Sequence, residues 1–320
     1  MGGLLDVDGL IVRYKTAKVS CVDSVSLSIS EGQVLGLVGE SGCGKTTFAK
    51  AVLGVLPGSA LVGGGSIRFR GLDSDLLDMD KNSRRKIQGT GIGMITQESL
   101  SSLNPVLKVG VQFGRLLMEK MGLTRFDAFK RAADFLEKVK CPSDILDRYP
   151  FQLSGGQRQR VQIAMAFALS PKLLIADEPT TALDVSIQAQ VLKEIIRLRE
   201  EVGTAILLIS HNLGVVSQIC DDMAVMYRGQ LVEQGRAKTV LRDPSHAYTK
   251  GLIGSIPHLD LDRGKRLQSI PEVPEDPATG CRFAPLCSLR CSQCSILRPD
   301  LMVNEKGVLA ACWSRHMQGA

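Results

Sequence analysis

The chain has 320 residues, of which 44% are hydrophobic, 22% charged and 4% aromatic. A chain of this length and composition buries a substantial core, which excludes a mainly disordered protein and a small domain that depends on disulfides. The formal net charge of +6 permits an acidic or nucleotide partner, but it gives no support to nucleic-acid binding by itself.

Apolar segments of the chain are short. None approaches the roughly 18 to 20 residues that cross a bilayer, so we expect no membrane span. The first residues, MGGLLDVDGL, lack the charged and apolar regions of a secretory signal, so we expect a reducing compartment. The clustered thiols among the nine cysteines then favour metal binding over disulfides. Cys21, Cys43, Cys141 and Cys220 are scattered, and we interpret them as small buried apolar side chains.

The order of the predicted elements indicates an α/β fold. The first forty residues alternate apolar and polar positions, which predicts antiparallel strands, and the run VLGLVG predicts a buried parallel strand. Helical spacing follows in VGVQFGRLLMEKMG, DAFKRAADFLEKV and QRQRVQIAMAFAL. The strand-like runs KLLIAD and AILLIS then flank the helical SIQAQVLKEIIRLREEVG. Strands that alternate with helices in this way predict a parallel sheet.

The composition changes after about residue 256, where the proline-rich SIPEVPEDPATG leads into a cysteine-bearing tail. We therefore predict a first domain over 1–256, with a helical insertion over about 98–168, and an extension over 257–320. The tail is too short and proline-rich to order itself by hydrophobic burial, so we expect metal ligation to order it.

The segment GESGCGKTT follows the VLGLVG strand directly and matches the phosphate-loop pattern through Gly39, Gly44, Lys45 and Thr46. Glycines allow the backbone N–H groups and the next helix N-terminus to face phosphates. Lys45 adds a positive charge, and Thr46 offers a hydroxyl to Mg²⁺. A chance glycine-rich turn is the alternative, and the preceding strand and following helix favour the phosphate loop.

Two acidic residues end the strand LLIAD, where ligands of open α/β sheets bind. Asp177 is suited to hold Mg²⁺ through water, and Glu178 is suited to orient or deprotonate an attacking water. A solvated acidic pair is the alternative, and the phosphate loop makes it the weaker one.

The segment LSGGQ opens another predicted helix. Ser154 is suited to cap this helix, while Gly155 and Gly156 leave its first N–H groups uncovered for an anion. The chain has one phosphate loop, so this second site is predicted to serve a nucleotide held by another subunit. An ordinary capped helix is the alternative.

These three motifs together resemble the ATP-binding cassette of ABC transporters over residues from about 4 to 256. The resemblance implies a P-loop cassette with a RecA-like parallel sheet, an N-terminal antiparallel β subdomain and a helical subdomain, followed by the small tail. In that family two cassettes close head to tail around two ATP molecules. Each phosphate loop then faces the partner's LSGGQ segment.

The resemblance also assigns roles to single residues. Tyr14 matches the aromatic residue that stacks on adenine, Gln97 the glutamine at Mg²⁺ and water, and His211 the histidine at the γ-phosphate. Asp184 matches a loop that crosses the interface between cassettes. The predicted catalytic residues are Glu178, His211 and Gln97. The predicted Mg²⁺ ligands are Thr46, Gln97 and Asp177. The predicted ATP-binding residues are Tyr14, Gly39, Glu40, Ser41, Gly42, Cys43, Gly44, Lys45, Thr46, Thr47, Gln97, Asp177, Ser154, Gly155, Gly156, Gln157 and Asp184.

Several stretches, among them SSLNPV, EPTTALDVSIQAQVL and DPSHAYTKGLIGSIP, resemble the peptide and nickel importer branch of that family. This branch pairs two different cassettes with two membrane subunits and an external binding protein, which implies the cytoplasmic face of the membrane and no nucleic acid. Di- and oligopeptides are the implied cargo, with nickel or oligosaccharides as alternatives. A soluble ABC ATPase without a transport function is a further alternative.

The tail contains GCRFAPLC and a final ACW, which also resemble this branch. Cys281, Cys287, Cys294 and Cys312 match four cysteines that hold a four-iron, four-sulfur cluster in some members, and Cys291 is extra. Four thiolates suit such a cluster or tetrahedral zinc. Cys291 with Cys294 has a zinc-like spacing, so Cys291 is a possible substitute ligand. A cluster, zinc and uncoordinated thiols therefore remain open at this point.

Overall fold

The computed structural model describes residues 2–97, 102–180, 185–255, 271 and 279–316. The strands are β1 (Leu5–Tyr14), β2 (Val22–Ile29), β3 (Val34–Val38), β4 (Ala60–Phe69), β5 (Ile92–Ile95), β6 (Leu173–Asp177), β7 (Ala205–Ser210), β8 (Asp222–Tyr227), β9 (Gln230–Arg236), β10 (Met302–Val303) and β11 (Leu309–Ala310). The helices are α1 (Lys45–Leu53), α2 (Lys81–Ile87), α3 (Val109–Met121), α4 (Arg125–Lys138), α5 (Gly155–Ala168), α6 (Val185–Val202), α7 (Leu213–Ile219), α8 (Ala237–Arg242), α9 (Ala247–Gly254) and α10 (Trp313–His316).

The N-terminal segment forms a three-stranded antiparallel sheet in the order β2-β1-β4. Its alternating sequence places every second side chain inside, as Leu5 opposite Ile29 and Phe69 illustrates. This confirms the antiparallel strands predicted from the alternation.

The larger sheet has the order β10-β11-β9-β8-β3-β7-β6-β5, and the strands from β8 to β5 are parallel. All five residues of β3 are buried because helices and the smaller sheet cover its two faces. The register sets Val38 opposite Ser210, and Asp177 opposite Ile209. The residues that follow β3, β6 and β7 therefore meet at one edge of the sheet.

Three helices lie between β5 and β6, as the helical spacing predicted. Helices α3 and α4 pack on each other, and α4 packs on α5, through buried side chains such as Phe113, Phe135 and Phe167.

The domain limits at 98–168 and 256/257 stay predictions, and residues 256–270 lie outside the described part of the chain. No helix in the described ranges is long and apolar enough to cross a membrane.

The cysteine-bearing tail is built onto the larger sheet. Strand β11 pairs antiparallel with β9, and β10 pairs with β11. Phe283 and Val308 of the tail are buried in the same core cluster as α3 to α5. Apolar burial therefore contributes to the order of the tail, which was not expected from its sequence, because the tail shares the core of the preceding domain.

Candidate functional site

The loop between β3 and α1 has the curled backbone expected of a phosphate loop. Gly44 precedes α1 with φ of 108°, and a Cβ atom built there would lie 2.1 Å from the carbonyl oxygen of Cys21. Only glycine fits this position. The first turn of α1 carries no acidic side chain, so the positive end of the helix dipole faces the loop without a carboxylate to neutralise it.

Lys45 is buried within this loop. Its Nζ donates to the carbonyl oxygens of Gly39 at 2.8 Å and Glu40 at 2.6 Å. Cys43 Sγ lies 3.5 Å from the same nitrogen, and burial raises the pKa of the Cys43 thiol. Main-chain carbonyls of the loop therefore fix the ammonium group of Lys45 at a position where a phosphate group can contact it.

Tyr14 ends β1 beside the start of α1. Its hydroxyl lies 3.3 Å from Oγ1 of Thr47, and its ring is half buried. The structure thus brings the predicted adenine-stacking residue to the phosphate loop.

Asp177 lies at the end of β6 and is almost fully buried. Burial raises the pKa of its carboxyl above the usual value, while a hydrogen bond with the Thr46 side chain lowers it. Among the residues that the structure describes, Asp177 Oδ1 has no hydrogen-bond partner. A buried carboxylate oxygen without a partner, next to a hydroxyl, fits the hard oxygen ligands that Mg²⁺ prefers.

Glu178 is the point where the predicted catalytic residues meet. Its Oε1 lies 2.9 Å from Nδ1 of His211, and its Oε2 accepts from Nε2 of Gln97 at 3.1 Å. These three residues follow β6, β7 and β5, whose ends share one edge of the sheet. An ionised carboxylate only accepts, so Nδ1 of His211 carries a proton in this contact.

The backbone of Glu178 is also unusual. Its φ is 47°, in the left-handed region that non-glycine residues rarely adopt, and its N–H donates to the carbonyl of Ile209 at 2.9 Å. Strain of this kind collects where the surroundings over-determine a functional side chain. Here the β7 main chain and two side-chain partners hold Glu178.

The LSGGQ segment forms the N-terminus of α5. Ser154 Oγ accepts from the Gln157 N–H at 3.2 Å, and Gln157 Oε1 accepts from the Ser154 N–H at 3.0 Å, which is a capping box. A Cβ atom on Gly155 would meet nothing within 4 Å, so the tip of this helix is open. Helix α5 packs on α4, α6 and β5, whereas α1 of the phosphate loop packs on β1, β5 and β6. Asp184 lies outside the described residues.

The tail cysteines lie near one another, but they do not form the predicted metal site. Sγ of Cys291 is 3.3 Å from Sγ of Cys294, and the nearby charges of Cys287 and Cys312 raise the pKa of Cys281 further after burial has raised it. In the described ranges no three Cys, His, Asp or Glu side chains are arranged to hold one metal ion. The four-ligand arrangement predicted for Cys281, Cys287, Cys294 and Cys312 is therefore not supported, and the thiol contact that is present pairs Cys294 with Cys291.

One contact at the phosphate loop was not predicted from the sequence. The N–H of Glu40 donates to the hydroxyl of Tyr248, which is fully buried, at 3.0 Å. Tyr248 lies in the stretch DPSHAYTKGLIGSIP, whose fit to the importer branch was the only available signal.

A parallel sheet whose strand ends bring together a phosphate loop, a buried aspartate beside the Thr46 hydroxyl and a strained glutamate defines a P-loop ATPase. Comparison with known proteins narrows this class. The family described as "ABC transporter" matches residues 22–181, and the one described as "Oligopeptide/dipeptide transporter, C-terminal region" matches residues 232–294. The chain belongs to the ABC transporter family, in its oligopeptide and dipeptide group, and is an ABC-type ATPase that uses ATP and Mg²⁺.

Relatives and solved structures agree with this assignment. The "Oligopeptide transport ATP-binding protein AppD" of Bacillus subtilis is 40% identical and covers 100% of this chain and 99% of that protein. The "Oligopeptide transport ATP-binding protein OppD" of Haemophilus influenzae is 41% identical, with 98% of each chain covered. The dimeric, ADP- and phosphate-bound ATP-binding cassette MJ0796 superposes with a TM-score of 0.65 at 25% identity, covering 73% of this chain and 98% of that one.

Proposed function

We propose that the chain is the ATP-hydrolysing subunit of a membrane importer for di- and oligopeptides. The convergence of Gln97 and His211 on Glu178, beside the phosphate loop, is the observation that carries the enzymatic part. The peptide cargo is supported by the match of residues 232–294 and by relatives named for oligopeptide transport along nearly their full length.

In this proposal the loop over residues 39–47 binds the phosphates of ATP. Its main-chain N–H groups and the N-terminus of α1 face the phosphate oxygens, and Lys45 adds its charge. Tyr14 stacks on the adenine. Thr46, Asp177 and Gln97 hold Mg²⁺, which when bound neutralises charge on the phosphate oxygens.

Hydrolysis in this proposal depends on Glu178. The carboxylate accepts a proton from the water that attacks the γ-phosphorus, the bond to the leaving oxygen of ADP breaks, and inorganic phosphate forms. Gln97 and His211 orient the carboxylate through the two contacts described above. In this proposal the other ring nitrogen of His211 contacts the γ-phosphate.

The LSGGQ residues Ser154, Gly155, Gly156 and Gln157 act on the nucleotide of a second, related cassette. The open tip of α5 at Gly155 supports this role, as does the presence of one phosphate-loop motif in the chain. Asp184 crosses the same interface in this proposal. Two membrane subunits, an external binding protein and a location at the cytoplasmic face complete the assembly.

Purification tests the proposed assembly. The chain, tagged and expressed with its native neighbours, is expected to bring down two polytopic membrane proteins and a second cassette. In vesicles, peptide-loaded binding protein is expected to stimulate ATP hydrolysis. Stimulation by nickel or oligosaccharide instead would replace the peptide cargo, and hydrolysis without any membrane partner would favour a soluble ATPase.

We also propose that the tail thiols hold a four-iron, four-sulfur cluster, with zinc as the alternative. The N–H of Cys281 donates to the carbonyl of Cys294 at 2.8 Å, and Sγ of Cys294 lies 3.3 Å from Sγ of Cys291, which supports this proposal. The thiols have to rearrange to ligate one centre. Anaerobic purification with iron, sulfide and zinc analysis tests it. Zinc without sulfide selects zinc, and neither metal rejects both.

A further inference from the structure

Two adjacent residues of the tail, Arg282 and Phe283, connect it to the phosphate loop. The Phe283 ring packs against Tyr248, with ring centroids 5.5 Å apart, and against Tyr227 at 5.3 Å. Tyr227 and Tyr248 are themselves 4.4 Å apart. The three rings therefore form one buried cluster under the loop, and Phe283 is its only member from the tail.

The hydroxyl of Tyr248 extends from this cluster to the start of the phosphate loop. It accepts a hydrogen bond from the Glu40 N–H at 3.0 Å. The carbonyl oxygen of Glu40 accepts from Nζ of Lys45 at 2.6 Å. The main-chain N–H of Glu40 is thus bonded to a residue outside the loop, and its carbonyl to a residue inside the loop. Without the hydroxyl, the Glu40 N–H would need another acceptor, and a partly buried donor without a partner is costly.

Arg282 supplies a second connection. Its guanidinium is largely buried, pairs with Asp23 at 2.8 Å, and donates to the carbonyl of Arg228. The next residue, Gly229, donates its N–H to the carbonyl of Cys43 in the phosphate loop at 2.8 Å. The tail therefore contacts the turn between β8 and β9, and this turn is hydrogen-bonded to the phosphate loop.

We propose that Tyr248 is a positioning residue for the phosphate loop and that Arg282 and Phe283 hold it in place, so that docking of the tail sets the affinity for ATP. The inference rests on the proposed assignment of residues 39–47 to the phosphates. A loop that adopts its binding conformation only part of the time binds ATP more weakly by that fraction. Reciprocity requires that ATP in turn stabilises the docked tail.

Two conservative variants of the full-length chain test the proposal. Tyr248→Phe removes only the hydroxyl, and Phe283→Leu keeps an apolar side chain but removes the ring contact. Each is expected to raise the dissociation constant of MgATP by about three- to tenfold. The double variant is expected to cost less than the two effects combined, because both changes act on one contact chain.

Matched variants separate positioning from general destabilisation. Tyr149→Phe removes a tyrosine hydroxyl, and Phe113→Leu replaces a buried ring by leucine, both in the region of α3 to α5 and outside the aromatic cluster. Both variants are expected to leave MgATP affinity unchanged. A Tyr248→Phe variant with lower thermal stability but wild-type affinity would show a merely structural role and overturn the inference.

Hydrogen exchange supplies a readout that is independent of turnover. MgATP is expected to slow amide exchange over residues 281–287 in the wild-type chain, and Tyr248→Phe is expected to lose most of that protection. Unchanged exchange in the wild-type tail on MgATP binding would overturn the coupling alone. A wild-type chain that does not bind MgATP would remove the phosphate-loop assignment as well.

Discussion

The phosphate loop and the cysteine-bearing tail differ in how much of their structure depends on local contacts. Nζ of Lys45 donates to two carbonyls of its own loop, and distant residues such as Tyr248 add to these local contacts. Arg282 of the tail pairs with Asp23, 259 residues away, and β11 pairs with β9. Motifs identified both segments, but they predict local contacts and not contacts with residues distant in sequence.

Because Glu178 follows β6 and lies outside the phosphate loop, removal of this catalytic base should affect turnover and leave ATP binding intact. Glu178→Gln is expected to reduce ATP hydrolysis by about a hundred- to ten-thousandfold, because an amide cannot accept the proton of water. MgATP binding is expected to persist. Steady-state hydrolysis and equilibrium binding measure the two effects. Glu200→Gln, at an exposed position of α6, is the control, and near-normal turnover in Glu178→Gln would remove Glu178 from this role.

A side chain at Gly44 should disable the loop from within. Gly44→Ala places a Cβ atom 2.1 Å from the Cys21 carbonyl oxygen at a φ of 108°, so the loop must shift. We expect MgATP affinity to fall by about thirtyfold or more. Gly58→Ala, where a Cβ atom meets nothing within 4 Å, should leave affinity unchanged. Equal affinities in both variants would contradict the predicted contact with phosphate.

The stability of the region around His246, the residue that precedes α9, should depend on pH. Burial lowers the pKa of His246 from 6.5 to about 4, so the unfolded chain binds a proton before the folded chain does as pH falls. The stability contributed by neutral His246 is thus complete above pH 6.5 and is lost towards pH 4. The loss approaches about 3 kcal/mol.

His246→Asn isolates this effect, because asparagine can still cap α9 as His246 does through Nδ1 but does not titrate. Urea unfolding at several pH values between 7 and 4 measures the difference. The variant is expected to lose less stability than the wild type over this range. Parallel curves for the two chains would assign the loss of stability to a group other than His246. Buried Glu233 does not explain such a loss, because burial raises the pKa of its carboxyl and its protonation favours the folded chain as pH falls.

The tail should depend on its distant ion pair. Arg282→Gln removes one of two arginine partners of Asp23 and the donor to the Arg228 carbonyl, and is expected to cost about 1 to 2 kcal/mol of unfolding free energy. Asp23 keeps Arg298 and Gln230 as donors, which limits the loss. Arg85→Gln breaks an exposed pair with Glu119 and is expected to change stability by less than about 0.5 kcal/mol. Equal effects would mean that the tail does not need Arg282.

Sequence patterns identified the elements whose signals are local. The continuous run VLGLV became β3 because both faces of the strand are covered, and the alternation before it became β1 and β2. The order of motifs matched Gln97, Glu178 and His211 to the catalytic residues of one protein family. The strand register brings these three residues within hydrogen-bond distance.

Contacts between distant segments could not be predicted from such patterns. Tyr248 and Glu40 are 208 residues apart, and a tyrosine in an apolar helix gives no sign of its partner. The spacing of the tail cysteines suggested a metal site, but spacing does not determine which way thiols point. The burial of Phe283 also depends on two tyrosines from other elements.

The short strands of the tail have a consequence for solubility. Strand β9 would otherwise be an edge whose unpaired main-chain groups could recruit a strand from another molecule. Leu309 and Ala310 pair with Gln234 and Glu233 there, and the two-residue β10 is the one strand outside them in the part of the chain that the structure describes. The tail thereby covers part of the β9 edge and limits self-association through it.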